Sequence, residues 1–124
     1  MNWSENLPNG CPPSDAKTAD PEQIFYRMTR HDPPQKEDFY SQAKAKTQRM
    51  MCSNADECTK RGISLFDDLE SLKNILHLPR AGKHIVGLTI GVNDGVVLQG
   101  KGHHWTWWKT DHFSLNSCKM IVKP

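Results

Sequence analysis

His103-His104-Trp105-Thr106-Trp107-Trp108 packs imidazole and indole rings into six consecutive positions. Read as a strand, successive side chains point to opposite faces, so His103, Trp105 and Trp107 share one face and His104, Thr106 and Trp108 the other. Each face then carries a titratable ring beside a large flat one. One face can be core. The other must be covered or serve as a binding surface. This stretch therefore argues for a sheet with material on both sides, and it is the first place to look for a site.

The segments before and after it read mostly as strands. His84 to Val92 is rich in branched residues and reads as a central strand. Asn93-Asp94-Gly95 is a turn signal, and Val96-Val97-Leu98-Gln99 is expected to return as the hairpin partner. Cys118 to Lys123 closes the chain as a last strand. Upstream, Ile24 to Thr29 is bounded by Pro21 and by Asp32-Pro33-Pro34 and reads as the first strand, with Phe25 and Arg27 on one face.

Two helices are expected. Lys36 to Met51 carries Phe39 or Tyr40, Ala43, Thr47 and Met50 at helical spacing, with Glu37 and Asp38 in its first turn. A loop follows over residues 52–56. Leu65, Leu69, Leu72 and Leu76 form a second apolar stripe, with Ser64 as its N-cap and Asp67 at the third helical position. Pro79 and Gly82 stop it. The fold class expected is α+β, a mostly antiparallel sheet with two helices and an extended N-terminal arm.

That arm is residues 1–22, where Pro8, Gly10, Pro12, Pro13 and Pro21 block regular structure. It is expected to be flexible and to contribute little to folding, with Trp3 docking on its own domain. Residues 23–124 form the single domain. The chain has 124 residues and a formal charge of +2. That balance does not argue for nucleic acid, and the basic stretch Lys44, Lys46, Arg49, Lys60 and Arg61 reads as a solvated helix face. No apolar run reaches membrane-spanning length. Met1 to Asn6 has neither a basic start nor an apolar stretch, so a cytoplasmic location is expected. Cys11, Cys52, Cys58 and Cys118 are expected as free thiols, with a disulfide or a metal as the alternatives.

Three groups could carry chemistry. Arg27, with Arg30 and His31 just after it, offers a fixed guanidinium fork for phosphate or carboxylate. Ser64 can cap a helix, hold an anion there, or both. His104 and Trp108 can stack and hydrogen-bond a ring-bearing ligand. His104, Asp111 and His112 match no compact metal-ligand spacing, and no metal is expected. Nucleotide-binding glycine loops, the Gly-x-Ser-x-Gly elbow and His-Glu-x-x-His do not occur.

Phe25-Tyr26-Arg27 on a first strand, then Gly62-Ile63-Ser64-Leu65-Phe66 entering a helix, then a His/Trp segment, is similar in outline to small ADP-ribosyltransferase-like domains. It also resembles small bacterial proteins that share the strand arginine, Pro33-Pro34, Asp38-Phe39 and Gly62-to-Phe66 pattern. The resemblance implies Arg27 and His104 as catalytic residues. It implies Ser64 and His31 as ligand-binding residues, to which the stacking ring of Trp108 is added, and NAD as a candidate cofactor. The partner class it implies is a nucleotide or phosphate-bearing ligand. One departure is plain: transferases of this kind use a late glutamate, and this chain has no Glu after Glu70. A branch acting on phosphate, as in RNA 2′-phosphotransferases, stays open through Arg27, His31 and His104. The rival expectation is a non-enzymatic protein-interaction module.

Overall fold

Strands of the sheet alternate between a face turned to the core and a face turned away from it. In the computed structural model, which describes residues 1–45, 56–78 and 80–122, β1 is Phe25–Thr29, β2 Ile63–Phe66, β3 His84–Leu88, β4 Gly95–Gln99, β5 His104–Lys109 and β6 Lys119–Val122. They form one antiparallel sheet in the order β4-β5-β2-β1-β3-β6. Among the described residues three α-helices accompany it, α1 Gln42–Ala45, α2 Glu57–Lys60 and α3 Leu69–Leu76. The class is α+β, as the sequence implied.

The core lies on the face shared by Phe25, Leu65, Val86, Leu88, Val97 and Trp107. It is closed by Ala19, Phe39 and Ile90, with Phe113 and Leu115 packed at its border. Phe25 meets Trp105 edge-on at 5.3 Å, and Trp107 meets Phe113 at 4.8 Å. Such edge-to-face contacts add to the apolar area buried. The other face carries Phe66, His104, Thr106 and Trp108, with α2 and α3 over it. Trp108 donates its indole N–H to the Cys58 carbonyl at 2.9 Å, so neither buried indole nitrogen is orphaned: Trp107 donates to the Asp94 carbonyl at 3.1 Å. The strand reading of His104 to Trp108 and its two faces therefore hold.

Several expectations do not. Ser64 is not an N-cap. It sits inside β2, because alternation buries Ile63 and Leu65 in the core, while the helix begins only at Leu69. The cap is Asp68, whose carboxylate accepts from the Ser71 backbone N–H at 3.0 Å and the Ser71 hydroxyl at 2.9 Å. His77 closes α3 in the left-handed conformation (φ 55°). The stripe from Leu65 thus ran a strand and a helix together.

The helix expected from Lys36 is also broken. Lys36–Phe39 is a single 3-10 turn, and Tyr40 is extended (φ −74°, ψ 145°) before α1 begins. Asp38 causes the break. Its buried carboxylate accepts from the backbone N–H of Arg30 and of Gln35, both at 2.8 Å, and so fixes the chain to the end of β1. The rest of that expected helix, residues 46–51, and the loop at 52–55 lie outside the described residues. Asp56 is the N-cap of α2.

The β3–β4 hairpin does not form. β3 stops at Leu88 because Ile90 drops into the core, and both its flanks are taken by β1 and β6. The Asn93-Asp94-Gly95 turn is real but local. Asp94 accepts from the Gly91 N–H at 2.7 Å, and Gly95 (φ 125°) lets the chain pass so close to the Trp108 carbonyl that a Cβ there would collide with it. β4 then pairs with β5.

The segment expected as a flexible arm is held against the domain along its length. Ser4 N–H donates to the Lys109 carbonyl at 2.9 Å, and Lys17 exchanges two backbone bonds with Val97. Glu5 accepts from the Ser41 N–H, the Ser41 hydroxyl and Arg61. Cys11 is joined to Cys58 by a disulfide, which corrects the expectation of free thiols for that pair. Cys118 is a free thiol, and burial pushes its pKa up to about 11.

Two outcomes follow from this architecture. Deleting residues 1–20 removes the disulfide, Ala19 and the Glu5 network together. Loss of a native disulfide alone costs about 2–5 kcal/mol, and each kcal/mol shifts the melting point of a domain this size by roughly 4–8 °C. Thermal unfolding of the truncated chain should therefore fall by more than about 10 °C; a shift of only a few degrees would restore the dispensable arm. For α3, Asp68→Ala should speed amide exchange over Leu69–Leu76 while Ser64→Ala leaves it unchanged. The Ser71 N–H, the main cause, holds the Asp68 carboxyl below its ordinary pKa. The cap is then fully present above the unfolded value of about 3.9 and is lost as pH falls through the lower folded value, which exchange rates in acid will show.

Candidate functional site

Where α3 crosses the sheet it leaves a cleft of about 570 Å³. β2 and β5 form its floor. Their register sets Ser64 opposite Thr106 and Phe66 opposite His104, so all four side chains rise on the helix-covered face. Gly62 opens the end of β2: a Cβ there would run into the Thr106 methyl, so the close approach of Thr106 requires glycine. Leu72, Ile75 and Leu76 supply an apolar roof from α3, while Gln42 of α1 and Thr59 of α2 add polar groups at the rim.

The polar centre is the pair Ser64 and His104. His104 Nε2 lies 3.0 Å from Ser64 Oγ, and both residues are partly buried. The Phe66 ring stands edge-on to the imidazole at 5.4 Å and fixes its plane. Serine and neutral imidazole can each donate and accept, so the pair can serve either an anionic or a neutral polar group.

Arg27 lines the same cleft, but its donors are turned to the backbone. Nε donates to the Asp38 carbonyl at 2.7 Å, Nη1 to the Ser64 carbonyl at 2.7 Å and Nη2 to the Tyr40 carbonyl at 3.5 Å. The guanidinium also lies 5.7 Å from the Phe39 ring centre. Burial lowers its pKa to about 10, with Asp38 opposing the shift, and it stays cationic at neutral pH. Its strand alternation places it on the core side, opposite Val86, while Ser64 and His104 rise on the other. It reaches them through the Ser64 carbonyl rather than by facing them.

The other expected ligand residues lie elsewhere. His31 is exposed at the turn after β1, with Nδ1 3.0 Å from the Asp38 carboxylate. Trp108 is buried beneath α2 and does not open on the cleft. His112 pairs with Asp94 at 2.7 Å and His103 with Asp67 at 2.7 Å. Among the described residues no three His, Cys, Asp or Glu side chains gather as a metal site would require. Gln42, Thr59 and the α3 roof were not read from the sequence as site residues. The alternation Ile63-Ser64-Leu65-Phe66 was the available signal for β2, and it places Ser64 and Phe66 together. No family model, curated protein or solved structure matches this chain. No helix among the described residues is long and apolar enough to cross a membrane.

Arg27→Met tests the backbone role. It leaves three carbonyls without their donor, two of them at 2.7 Å, and charged hydrogen bonds contribute about 1.5–3 kcal/mol each. Chemical denaturation should show a loss of at least about 3 kcal/mol, only partly recovered by Arg27→Lys, because one ammonium cannot span the three acceptors. A residue serving only a ligand would leave the denaturation curve of the free protein unmoved.

Proposed function

We propose that this protein is a small-ligand-binding domain whose site is the cleft under α3, with the His104–Ser64 pair as its polar end. The observation that carries this reading is the 3.0 Å contact of His104 Nε2 with Ser64 Oγ inside a concave hollow roofed by the apolar side chains of α3 and edged by polar groups. Binding sites commonly combine apolar surface with convergent polar groups in one concavity. Phe66 and the leucines of α3 suit a flat ring, and the His–Ser pair suits a phosphate or carboxylate joined to it. The ligand class is thus a nucleotide or a similar phosphate-bearing molecule, with NAD and ADP-ribose as the first candidates. In this reading Arg27 positions β2 and the phosphate falls to His104 and Ser64. The absence of a late glutamate favours the phosphate-directed branch, of the RNA 2′-phosphotransferase type, over a glutamate-dependent transferase. The Cys11–Cys58 disulfide favours an oxidising compartment over the reducing cytoplasm first expected.

A protein-interaction module is the second reading. It draws on Ile24 and Ile121, both exposed, whose side chains flank Gly87 on the part of the sheet near β6.

Titration with NAD, ADP-ribose and a short RNA, followed by amide chemical shifts, separates the two. One of these ligands should move the resonances of Ser64, Phe66, His104 and Thr106. His104→Ala should weaken that binding by roughly tenfold or more, the loss of one charge-assisted contact, with the fold intact. If no ligand moves the cleft resonances, or His104→Ala binds as well as the parent, the ligand-site reading fails.

A further inference from the structure

A second hollow, of about 220 Å³, lies between the N-terminal segment, the Lys36–Phe39 turn, α1 and the end of β5. Lys36, Lys44 and Lys109 line it, together with Glu5 and Asp111. Three ammonium groups around so small a space repel one another unless carboxylates pair with them. Glu5 and Asp111 act on Lys109 across the hollow, but among the described residues no ion pair within 4.0 Å includes any of the three lysines. Glu5 is already engaged, accepting from the Ser41 N–H at 2.9 Å, the Ser41 hydroxyl at 2.6 Å and Arg61 at 3.1 Å.

Lys109 is the least solvated of the three. It is partly buried, and its ammonium donates to the Ser4 hydroxyl at 2.6 Å. An ammonium has three N–H groups, so two remain for another acceptor. Lys44 holds its ammonium over the Tyr40 ring, 4.4 Å from the centre, at the same hollow. Burial lowers the Lys109 pKa most; Asp111 and Glu5 oppose this and Lys44 adds to it, as a neighbouring like charge should. The lining carries three lysines against two carboxylates, so the excess charge is positive.

We propose that this hollow is a binding site for a tetrahedral dianion of the phosphate class, held by Lys109, Lys44 and Lys36. A phosphate dianion brings two negative charges and several acceptor oxygens to these ammonium groups, where a monocarboxylate or chloride brings one charge. The site is separate from the α3 cleft and stands or falls without it.

The test exchanges chloride for inorganic phosphate at constant ionic strength, with acetate as control and phenyl phosphate as an ester arm. Amide shifts at Ser4, Tyr40, Lys44 and Lys109 should saturate with phosphate or with the ester and stay still with acetate. Binding of the inorganic ion identifies a free-phosphate site, and binding of phenyl phosphate alone identifies a phosphoester site. Lys44→Met, at an exposed position that does not endanger folding, should weaken binding by about tenfold, and Lys109→Met by more. His104→Ala should leave it unchanged. Equal shifts with acetate, or unchanged affinity in Lys44→Met, would overturn the proposal. So would shifts confined to the α3 cleft, which would assign the phosphate to that site instead.

Discussion

The centre of the sheet is held by the Arg27 guanidinium. β1 and β2 share a single register pair, Tyr26 with Phe66, where most other neighbouring strands run in longer ladders. Next to that pair the two strands are bridged by Arg27, which donates to the Ser64 carbonyl on one side and to the Asp38 and Tyr40 carbonyls on the other. One planar, five-donor side chain thereby joins β1, β2 and the 3-10 turn. The position of Ser64, and with it the contact to His104, depends on that bridge. Removing a charge that serves buried acceptors is costlier than its net contribution to folding suggests, because the acceptors stay behind unpaired.

A second constraint is the pair of indoles on β5. Trp107 and Trp108 are both buried, on opposite faces. The strand must therefore lie between two layers. One layer is the core closed by Ala19, Phe39 and Phe113; the other is α2 and α3. The N-terminal segment contributes to both, through Ala19 in the core and through Cys11 and Glu5, which tie it to Cys58 and Arg61 of the α2 region. Its proline-rich composition said that it would lack regular structure. Composition did not say that irregular chain could be pinned at one point after another by the rest of the domain.

What could be read in the sequence was local. Period-two alternation gave β5 with its faces, and the aromatic and branched run gave β1. The leucine stripe gave α3, though not its start, since Leu65 satisfies a strand period and a helix period equally. The turn at Asn93-Asp94-Gly95 was legible; the partner of the strand after it was not, because pairing depends on which flanks are already occupied. Asp38 shows the same limit. Its spacing suited a first helical turn, while its carboxylate was claimed by two backbone N–H groups that no periodicity reveals. For the site, Ser64 and His104 were found by residue type and meet in the cleft. Arg27 also lies there, but its donors go to the main chain, and Trp108 and His31 are placed elsewhere by burial and by Asp38.

The strand order has a consequence for how the chain reaches this state. Among the strand pairs of the described residues, only β4 with β5 joins neighbours through a short connection. β1 pairs with β2 and β3, and β2 waits for β5, all across long stretches of intervening chain. During synthesis the first strand emerges with neither flank available: Arg27 finds the Asp38 and Tyr40 carbonyls soon after, but Phe25 waits for Leu88 and Trp105. Loop closure must precede nearly all of the favourable contacts, which slows folding and lengthens exposure of unpaired edges. A short nucleus at the β4–β5 hairpin, built on Trp107 against Val97, can form early and offer the rest of the sheet a surface.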